Sequence, residues 1–180
     1  RFMTHPTVSY SATDKWSATF IINANFAGVT GDAVSICGKT NTCRISLFQV
    51  NNRYFFQSES GFSPTITIDC KYIYGKITII TYVAKGDNTI LVYENGNLKG
   101  TLDCVSDFIF ETILRGRYHY FYGKLHYYKV QNGEASASFV KSEYDMLRSI
   151  FSEVESVQIG TQTWTTSNFE AVATPQGNEV

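Results

Sequence analysis

An all-β fold, a two-sheet antiparallel jelly-roll sandwich, is predicted by three features of the sequence. Aromatic residues make up 15% of the 180 residues, mostly 13 Phe and 12 Tyr, and such side chains favour pleated, half-buried strands. Apolar residues recur at every second position in several segments. Turn residues separate these segments at intervals of roughly 8–12 residues, a spacing typical of sandwiches.

Two segments show the alternation most clearly. The first places Ser17, Thr19 and Asn23 on the face opposite its apolar side chains, with Ile21 as an exception. The second, residues 77–83, has one apolar face and one partly apolar face, which indicates a strand covered on both sides. The apolar face of the first segment consists of Trp16, Ala18, Phe20 and Ile22.

Two dipeptides, Asn95-Gly96 and Asn51-Asn52, predict β-hairpins. A two-residue type I′ turn needs positive φ at both central positions, which Asn and Gly tolerate best. The opposed pairs that these turns predict are Tyr93 with Leu98 and Leu91 with Gly100 in the first hairpin, and Phe48 with Phe55 and Leu47 with Phe56 in the second.

Further strands are expected over residues 108–114 and 118–130. Strict alternation in the second of these would bury Lys129. A β-bulge is therefore predicted there, because it brings a better set of side chains into the core. That set is Leu125, Tyr128 and Val130.

One short helix is predicted near residues 142–152. Ser142 is a candidate N-cap, with Asp145 three residues later. The helix is expected to pack against a sheet edge or against the end of the sandwich. Its apolar side consists of Met146, Leu147, Ile150 and Phe151.

Charge and hydropathy exclude two classes of partner. The net charge is −1, which leaves no excess of cations for a phosphate backbone, so no nucleic-acid partner is expected. The apolar runs are far shorter than the roughly 18 residues that cross a bilayer, so no membrane span is expected. The sequence starts at Arg1 and ends in mid-pattern, so we expect it to be a piece of a longer chain with further domains.

The order of the pieces over about residues 8–153 resembles the laminin G-like, concanavalin A-like lectin/glucanase superfamily. There, a strand and loop lead to a Tyr-x-Asn-Gly hairpin, which is followed by a Phe-x-Gly-Lys-Ile strand and a short helix. The resemblance implies a jelly roll over residues 1–153 and ligands that often bind in loops at one rim. The matching residues are Tyr93, Asn95 and Gly96, and then Phe121, Gly123, Lys124 and Leu125.

Residues 154–180 are expected to be a linker and the truncated start of a second domain. From Val157 onward the sequence resembles the opening of the major paralogous domain called FISUMP, which typically starts with Ile-Gly-x-Gln-x-Trp and resembles C-type lectin-like folds. Such domains occur in bacterial surface proteins and in phage tail or fibre proteins, which implies an extracellular, cell-surface or virion location. The matching residues are Ile159, Gly160, Gln162, Trp164, Asn168 and Phe169, with a turn at residues 176–178.

The sequence offers no catalytic machinery, so we expect no enzyme. Retaining glycosidases need two carboxyl groups about 5–5.5 Å apart, usually on one strand face. The nearest pair, Glu143 and Asp145, is interpreted as helix-start capping. The three histidines, His5, His119 and His126, lack metal-ligand spacing and are interpreted as ordinary strand residues.

No cofactor is expected, although calcium is possible because oxygen-bearing loop residues suit a hard cation. These residues match no family ligand motif, and the alternative is that they are ordinary turn residues. They are Asp32, Asp87, Asn88, Asp103 and Asp107.

Four cysteines leave two alternatives open. Cys37 and Cys43 could close a hairpin while Cys70 pairs with Cys104, or all four could remain thiols in a protein assembled in a reducing compartment.

The aromatic and basic segment over residues 115–129 is the candidate binding surface. Tyrosine rings stack on sugar C–H faces while their hydroxyls form hydrogen bonds, and Arg binds acidic sugar carboxylates. The alternative is that these tyrosines form cross-strand ladders that stabilise the sheet, and the loops at residues 28–32 and 86–88 are rival sites. The predicted ligand-binding residues are Arg115, Arg117, Tyr118, Tyr120 and Tyr122, with the three tyrosines on one strand face.

A non-catalytic, lectin-like recognition module is therefore expected, which binds glycan or a cell-surface protein as part of a bacterial surface protein or phage fibre. A structural or assembly domain that acts through protein contacts, as a homo-oligomer for example, is the alternative.

Overall fold

A computed structural model describes residues 3–24, 33–39, 42–48, 53–58, 61–62, 66–67, 75–115, 121–151, 156–159 and 162–165. Within these residues the chain forms fourteen strands and one helix, α1 (Ala137–Phe151). The strands are β1 (Met3–Tyr10), β2 (Lys15–Ala24), β3 (Ala33–Lys39), β4 (Cys43–Phe48), β5 (Arg53–Ser58), β6 (Gly61–Phe62), β7 (Ile66–Thr67), β8 (Ile77–Lys85), β9 (Thr89–Glu94), β10 (Asn97–Asp103), β11 (Phe108–Ile113), β12 (Gly123–Asn132), β13 (Ser156–Ile159) and β14 (Gln162–Thr165).

Two antiparallel sheets face each other across one core. The seven-stranded sheet has the order β1-β11-β3-β4-β5-β6, with β7 paired to β5, and the five-stranded sheet has the order β10-β9-β8-β2-β12. Buried side chains of both sheets form a single cluster between them. The predicted all-β, two-sheet jelly-roll sandwich with one short helix is therefore confirmed.

An aromatic cluster joins the two sheets at the centre of the core. Trp16 of β2 is fully buried, and its ring centroid lies 5.9 Å from that of Phe108 and 5.2 Å from that of Phe110, both on β11. Phe56 of β5 stacks on Phe108 at 4.8 Å. Ring pairs of this kind stabilise a core beyond the area that they bury, so these contacts fix how the sheets face each other.

The alternation in β2 is confirmed, and α1 explains its exception. Trp16, Ala18, Phe20 and Ile22 belong to the core between the sheets. Ile21 faces the other way and packs with Ile79 and Leu147 beneath α1. Both faces of β8 are likewise buried, as the sequence indicates.

The predicted start of the helix is wrong by about two turns. α1 begins at Ala137, and the Ser136 hydroxyl accepts a hydrogen bond from the Phe139 amide at 3.2 Å, as an N-cap side chain does. Ser142 is therefore an interior residue. The expected packing is also wrong, because α1 covers the outer face of the five-stranded sheet rather than a sheet edge or the end of the sandwich.

The apolar side of the helix differs accordingly from the predicted one. Val140 packs with Val83 and Tyr93, and Leu147 packs with Ile21 and Ile79. Of the four predicted contacts, Leu147 is buried and Phe151 is partly buried against the same cluster, whereas Met146 and Ile150 are 56% and 65% exposed. Starting the helix six residues earlier makes Val140, Glu143 and Leu147 the inward-facing positions.

The Asn95-Gly96 hairpin is confirmed, with φ of 50° and 74° at the two turn residues. Tyr93 lies opposite Leu98 as predicted. A register shift between Leu98 and Gly100 then places Leu91 opposite Thr101, so the predicted pairing of Leu91 with Gly100 is wrong.

The predicted register of the β4–β5 hairpin is wrong by two residues. Phe48 pairs with Arg53 and Ile45 pairs with Phe56, rather than Phe48 with Phe55 and Leu47 with Phe56. The described pairing ends at Phe48 and Arg53. The turn residues Asn51 and Asn52 lie outside the described part of the chain.

The predicted bulge in β12 is confirmed. The register against β2 shifts between Leu125 and Tyr127, and Leu125, Tyr128 and Val130 all pack against the core. The extra residue, His126, is exposed. The bulge thus resolves the conflict that strict alternation creates around Lys129.

A separate two-stranded hairpin follows the helix. β13 and β14 pair from Ser156 with Thr165 to Ile159 with Gln162. Residues 160–161 and 166–180, which carry much of the FISUMP-like resemblance, lie outside the described part of the chain. The described residues include no helix with the length and apolar character needed to span a bilayer.

Candidate functional site

The segment that connects β11 to β12 crosses from one sheet to the other and carries the predicted binding residues. Its first part is fixed by the Leu114 amide, which donates to the Ile36 carbonyl at 2.7 Å. The Phe121 amide donates back to the Leu114 carbonyl at 2.9 Å. The two ends of the crossover are therefore held side by side at one end of the sandwich.

We call this the crossover end, defined by Lys76, Arg115, Tyr122 and Lys124. It is the end at which β2 finishes and β8 and β12 begin, because Ala24 pairs with Gly123 and its carbonyl accepts from the Gly75 amide at 2.9 Å.

Arg115 is half-buried, and its backbone is anchored. The Thr112 hydroxyl lies 2.9 Å from both the Arg115 carbonyl and the Gly38 carbonyl, so one side chain ties the crossover to the neighbouring strand. Leu114, just before it, has a φ of 66°, which is uncommon for a residue other than Gly or Asn. The crossover thus leaves β11 through a tightly held turn.

Tyr122 is 51% exposed and lies immediately before β12. The next residue, Gly123, has a φ of 141°, and a Cβ there would lie 2.1 Å from the Asn23 carbonyl oxygen. Only glycine fits this contact, so the backbone that presents Tyr122 has a defined path. Tyr122 is outside the strand, so the prediction that it shares a strand face is wrong for this residue.

Arg117, Tyr118 and Tyr120, the other predicted ligand-binding residues, lie outside the described part of the chain, as does His119. The structure therefore brings Arg115 and Tyr122 to one end of the sandwich and leaves the contribution of the other three as a prediction.

Four of the candidate calcium residues, Asp87, Asn88, Asp103 and Asp107, lie at one end of the sandwich, where Asp103 pairs with Thr89 and the Cys104 amide donates to the Asn88 carbonyl at 2.7 Å. The fifth, Asp32, lies outside the described part of the chain. Asp87 lies in the turn between β8 and β9, where it accepts hydrogen bonds from the Thr89 hydroxyl and, at 3.1 Å, from Lys85. These contacts lower the pKa of the Asp87 carboxyl, the Thr89 hydrogen bond most and the Lys85 contact next. In the described part of the chain no three His, Cys, Asp or Glu side chains form a group that could hold a metal ion.

Glu143 has a role that the sequence interpretation missed. It is buried under α1, where its Oε2 accepts from the Thr19 hydroxyl at 2.8 Å and its Oε1 accepts from Lys129 Nζ at 2.6 Å. The Thr19 hydroxyl also lies 3.2 Å from that of Thr81. The interpretation of Glu143 as a helix-start cap is therefore wrong. In the sequence, Thr19 and Thr81 alternate with core residues along β2 and β8. This alternation could have indicated a polar patch on the outer face of this sheet.

Buried polar pairs also cross the face of the seven-stranded sheet opposite the core. The Ser35 and Ser46 hydroxyls lie 3.1 Å apart, and Arg44 Nε donates to Gln57 Oε1 at 3.1 Å. All four residues are at least nine-tenths buried. They tie β3, β4 and β5 together by side-chain hydrogen bonds as well as by the backbone ladder.

The described cysteines are thiols. Burial, then the nearby Cys43, raises the pKa of Cys37 well above its ordinary value. The Cys43 Sγ donates to the Ile109 carbonyl and accepts from the Ile109 amide, both at 3.3 Å. Burial raises the pKa of the Cys104 thiol to about 11. The structure thus shows the reduced alternative at Cys37, Cys43 and Cys104, and Cys70 lies outside the described residues.

Comparison with solved structures shows the same fold in several proteins that bind carbohydrates or receptors. Domain 4 of AbnA, a GH43 extracellular arabinanase from Geobacillus stearothermophilus in complex with arabinotriose, superposes with a TM-score of 0.57 at 16% identity, covering 78% of this chain and 71% of that one. A heptameric SAP-like pentraxin from Limulus polyphemus gives 0.55 at 14% identity, covering 79% and 72%. A putative carbohydrate-binding protein from Bacteroides ovatus gives 0.59 at 12% identity, covering 78% and 43%.

At these identities the likeness concerns the fold alone. No protein-family model matches the chain. No curated protein matches it either.

Proposed function

We propose that this chain is a non-catalytic recognition module that binds a glycan or a cell-surface receptor through the crossover end. The observation that carries the proposal is the placement of an exposed aromatic residue, Tyr122, and a basic residue, Arg115, at the same end of the sandwich, next to the Phe121–Leu114 backbone hydrogen bond. An aromatic surface together with basic residues suits saccharides, which present C–H faces and polar groups together.

The proteins with the same fold support this kind of function. One was solved with arabinotriose bound, another is a putative carbohydrate-binding protein, and a botulinum neurotoxin binding domain was solved with rat synaptotagmin II. Their names describe glycan and protein ligands, so both stay within the proposal.

The contacts of the candidate carboxylates support a module without catalysis. Glu143 is engaged by Thr19 and Lys129, and Asp145 forms an exposed ion pair with Lys141 at 2.9 Å. Both carboxylates are therefore engaged in ion pairs, whereas retaining glycoside hydrolysis uses a pair of carboxyl groups about 5–5.5 Å apart. An extracellular setting, on a bacterial surface protein or a phage fibre, completes the proposal and rests on the FISUMP-like resemblance of residues 157–180.

A glycan array that includes bacterial capsular and outer-membrane polysaccharides tests the proposal, run once with calcium and once with a chelator. We expect binding, and at least a fivefold loss of affinity for the best ligand in Tyr122→Ala. Val105→Ala is the control, because Val105 is 55% exposed in the loop after β10, far from the crossover. The triple variant Y118A/Y120A/Y122A extends the test to the undescribed tyrosines.

The glycan array has three informative outcomes besides the expected one. Binding that is lost with chelator identifies a calcium-dependent lectin and returns attention to the loop aspartates. Binding that survives the triple tyrosine variant refutes this site while leaving a lectin. Absence of binding to every glycan and to cells refutes the recognition module.

A second candidate function, assembly through protein contacts, is favoured by one observation. Phe139, Met146 and Ile150 are 44%, 56% and 65% exposed on the helix that covers the five-stranded sheet. Exposed apolar side chains on one element are typical of contact surfaces. If assembly is the function, light scattering will show an oligomer that Met146→Glu with Ile150→Glu converts to monomer.

A further inference from the structure

We propose that the ligand of the crossover end is an acidic polysaccharide, one with carboxylates along its chain. This inference rests on the proposed function and narrows its ligand class. It comes from an end-to-end separation of charge that the overall net charge of −1 conceals.

Cations collect around the crossover end. Lys76 and Lys124 are exposed, Lys76 just before β8 and Lys124 in β12, and these two strands flank the end of β2, since Asn23 pairs with both Lys124 and Ile77. Neighbouring strands are about 4.8 Å apart, so the two lysine backbones are separated by about 10 Å across β2. Arg115 enters the same end from the other sheet.

The last turns of α1 add a further cation at this end. Phe151 lies 6.2 Å from His126 of β12, ring centroid to ring centroid, which places the end of the helix beside the start of that strand. Arg148 is exposed in this last part of the helix. Cations thus come from the loop before β8, the start of β12, the crossover and the helix.

The opposite end of the sandwich carries the opposite charge in the described residues. Asp14, Asp103 and Asp107 are exposed there, in the turn after β1, at the end of β10 and in the loop that follows. The lysines at that end are neutralised by ion pairs. Lys15 contacts Glu134 at 3.0 Å, and Lys85 contacts Asp87 at 3.1 Å.

This distribution favours a polyanion over a neutral glycan. A single exposed ion pair contributes little, so several cations spread over one end have most effect on a ligand that repeats its negative charge. Cationic side chains form charge-assisted hydrogen bonds with carboxylates, and the Tyr122 ring offers a face to the sugar itself. The acidic opposite end repels the same ligand and so directs it to the crossover.

The test is binding of the full chain to polygalacturonate and to neutral dextran, measured in chelator-containing buffer at low and moderate salt. The double variant K76Q/K124Q removes two cations from the crossover end. K15Q/K85Q is the matched control, because it removes the same charge from the opposite end. Dextran sulfate, as a third ligand, distinguishes carboxylate recognition from attraction to any polyanion.

We expect polygalacturonate to bind at least tenfold more tightly than dextran at low salt, with a steep loss of affinity on adding salt. We expect K76Q/K124Q to lose at least fivefold and K15Q/K85Q less than twofold. Equal loss in both double variants, or equal affinity for polygalacturonate and dextran, overturns the inference. Tighter binding of dextran sulfate than of polygalacturonate overturns the carboxylate preference.

The results that would refute the proposed function differ from those that would refute the acidic-polysaccharide inference. If the chain binds neutral glycans or a protein receptor through Tyr122 but ignores polygalacturonate, the recognition module stands and this inference is wrong. If nothing binds in the array or in this assay, both are wrong.

Discussion

Replacing Glu143 by glutamine tests how α1 is held on the five-stranded sheet. The carboxylate is nearly buried, with a side-chain exposure of 7%, and it accepts from Lys129 Nζ at 2.6 Å and from the Thr19 hydroxyl at 2.8 Å. Hydrogen bonds to a charged group contribute about 1.5–3 kcal/mol when buried. Lys129 keeps access to water at 28% exposure, so glutamine should cost about 1–2 kcal/mol.

The matched control lies two residues further along the same helix. Lys141 and Asp145 form an ion pair at 2.9 Å, but both side chains are more than half exposed. Exposed pairs four residues apart contribute about 0.3–0.5 kcal/mol, so Asp145→Asn should cost no more than that. The two substitutions remove the same charge and differ in burial.

Urea unfolding followed by far-UV circular dichroism measures both variants, with ΔG compared at an unchanged m value. A third variant, Lys129→Met, completes a double-mutant cycle with Glu143→Gln, and we expect a coupling of about 1 kcal/mol. A cost below about 0.5 kcal/mol for Glu143→Gln, or an equal cost for Asp145→Asn, would refute the reasoning that burial makes this contact structural.

Two further predictions concern the stability of a Gly123 variant and the reactivity of the Cys104 thiol. Gly123→Ala should lower the free energy of unfolding by about 3 kcal/mol or more, since its Cβ would lie 2.1 Å from the Asn23 carbonyl oxygen. Gly75→Ala, also at positive φ but with nothing within 4 Å of its Cβ, should cost only about 1 kcal/mol in the same denaturation assay, and equal costs would contradict the steric argument. Burial raises the pKa of Cys104 from 9.0 to about 11, so alkylation by iodoacetamide at pH 8 should be about a hundredfold slower in the folded than in the unfolded protein, as peptide mass mapping would show. Labelling at pH 8 that is equally fast in the folded and the unfolded protein would show that the thiol is open to solvent. Because the pKa of Cys104 is higher in the folded state, the stability that this thiol contributes is present below pH 9 and is lost as the pH rises towards 11.

Local sequence signals predicted most of the fold. Asn95-Gly96 fixed its own turn, because positive φ at both positions is a property of those two residues. The alternation in β2 and the bulge in β12 were likewise predictable, since each depends on which side chains a pleated strand can bury.

The predictions of the helix start and of the β4–β5 register were wrong because contacts between residues distant in sequence determine both. Ser142 and Asp145 look like a cap, but the helix starts six residues earlier because Val140 and Leu147 must face the sheet. The β4–β5 register is wrong by two residues, a shift that keeps Phe56 on the core face whether it lies opposite Ile45 or Leu47, so side-chain alternation could not decide between the two registers.

The candidate site was only partly predictable. Composition pointed to Arg115 and Tyr122, and the crossover places both at one end. The separation of charge between the two ends was not visible in the sequence, because Lys76 and Lys124 are 48 positions apart and meet only through their common neighbour β2.

Three outer strands of the sandwich, β1, β10 and β12, carry features that disfavour pairing with another copy of the chain. β1 contains Pro6 and a register shift, and β10 and β12 each have a shift of their own beside an exposed lysine, Lys99 or Lys124. Irregular, charged borders of this kind block the open-ended joining of sheets that leads to fibres. For the recognition module proposed above, such borders favour display in many copies, the condition under which weak individual binding events add up to firm attachment.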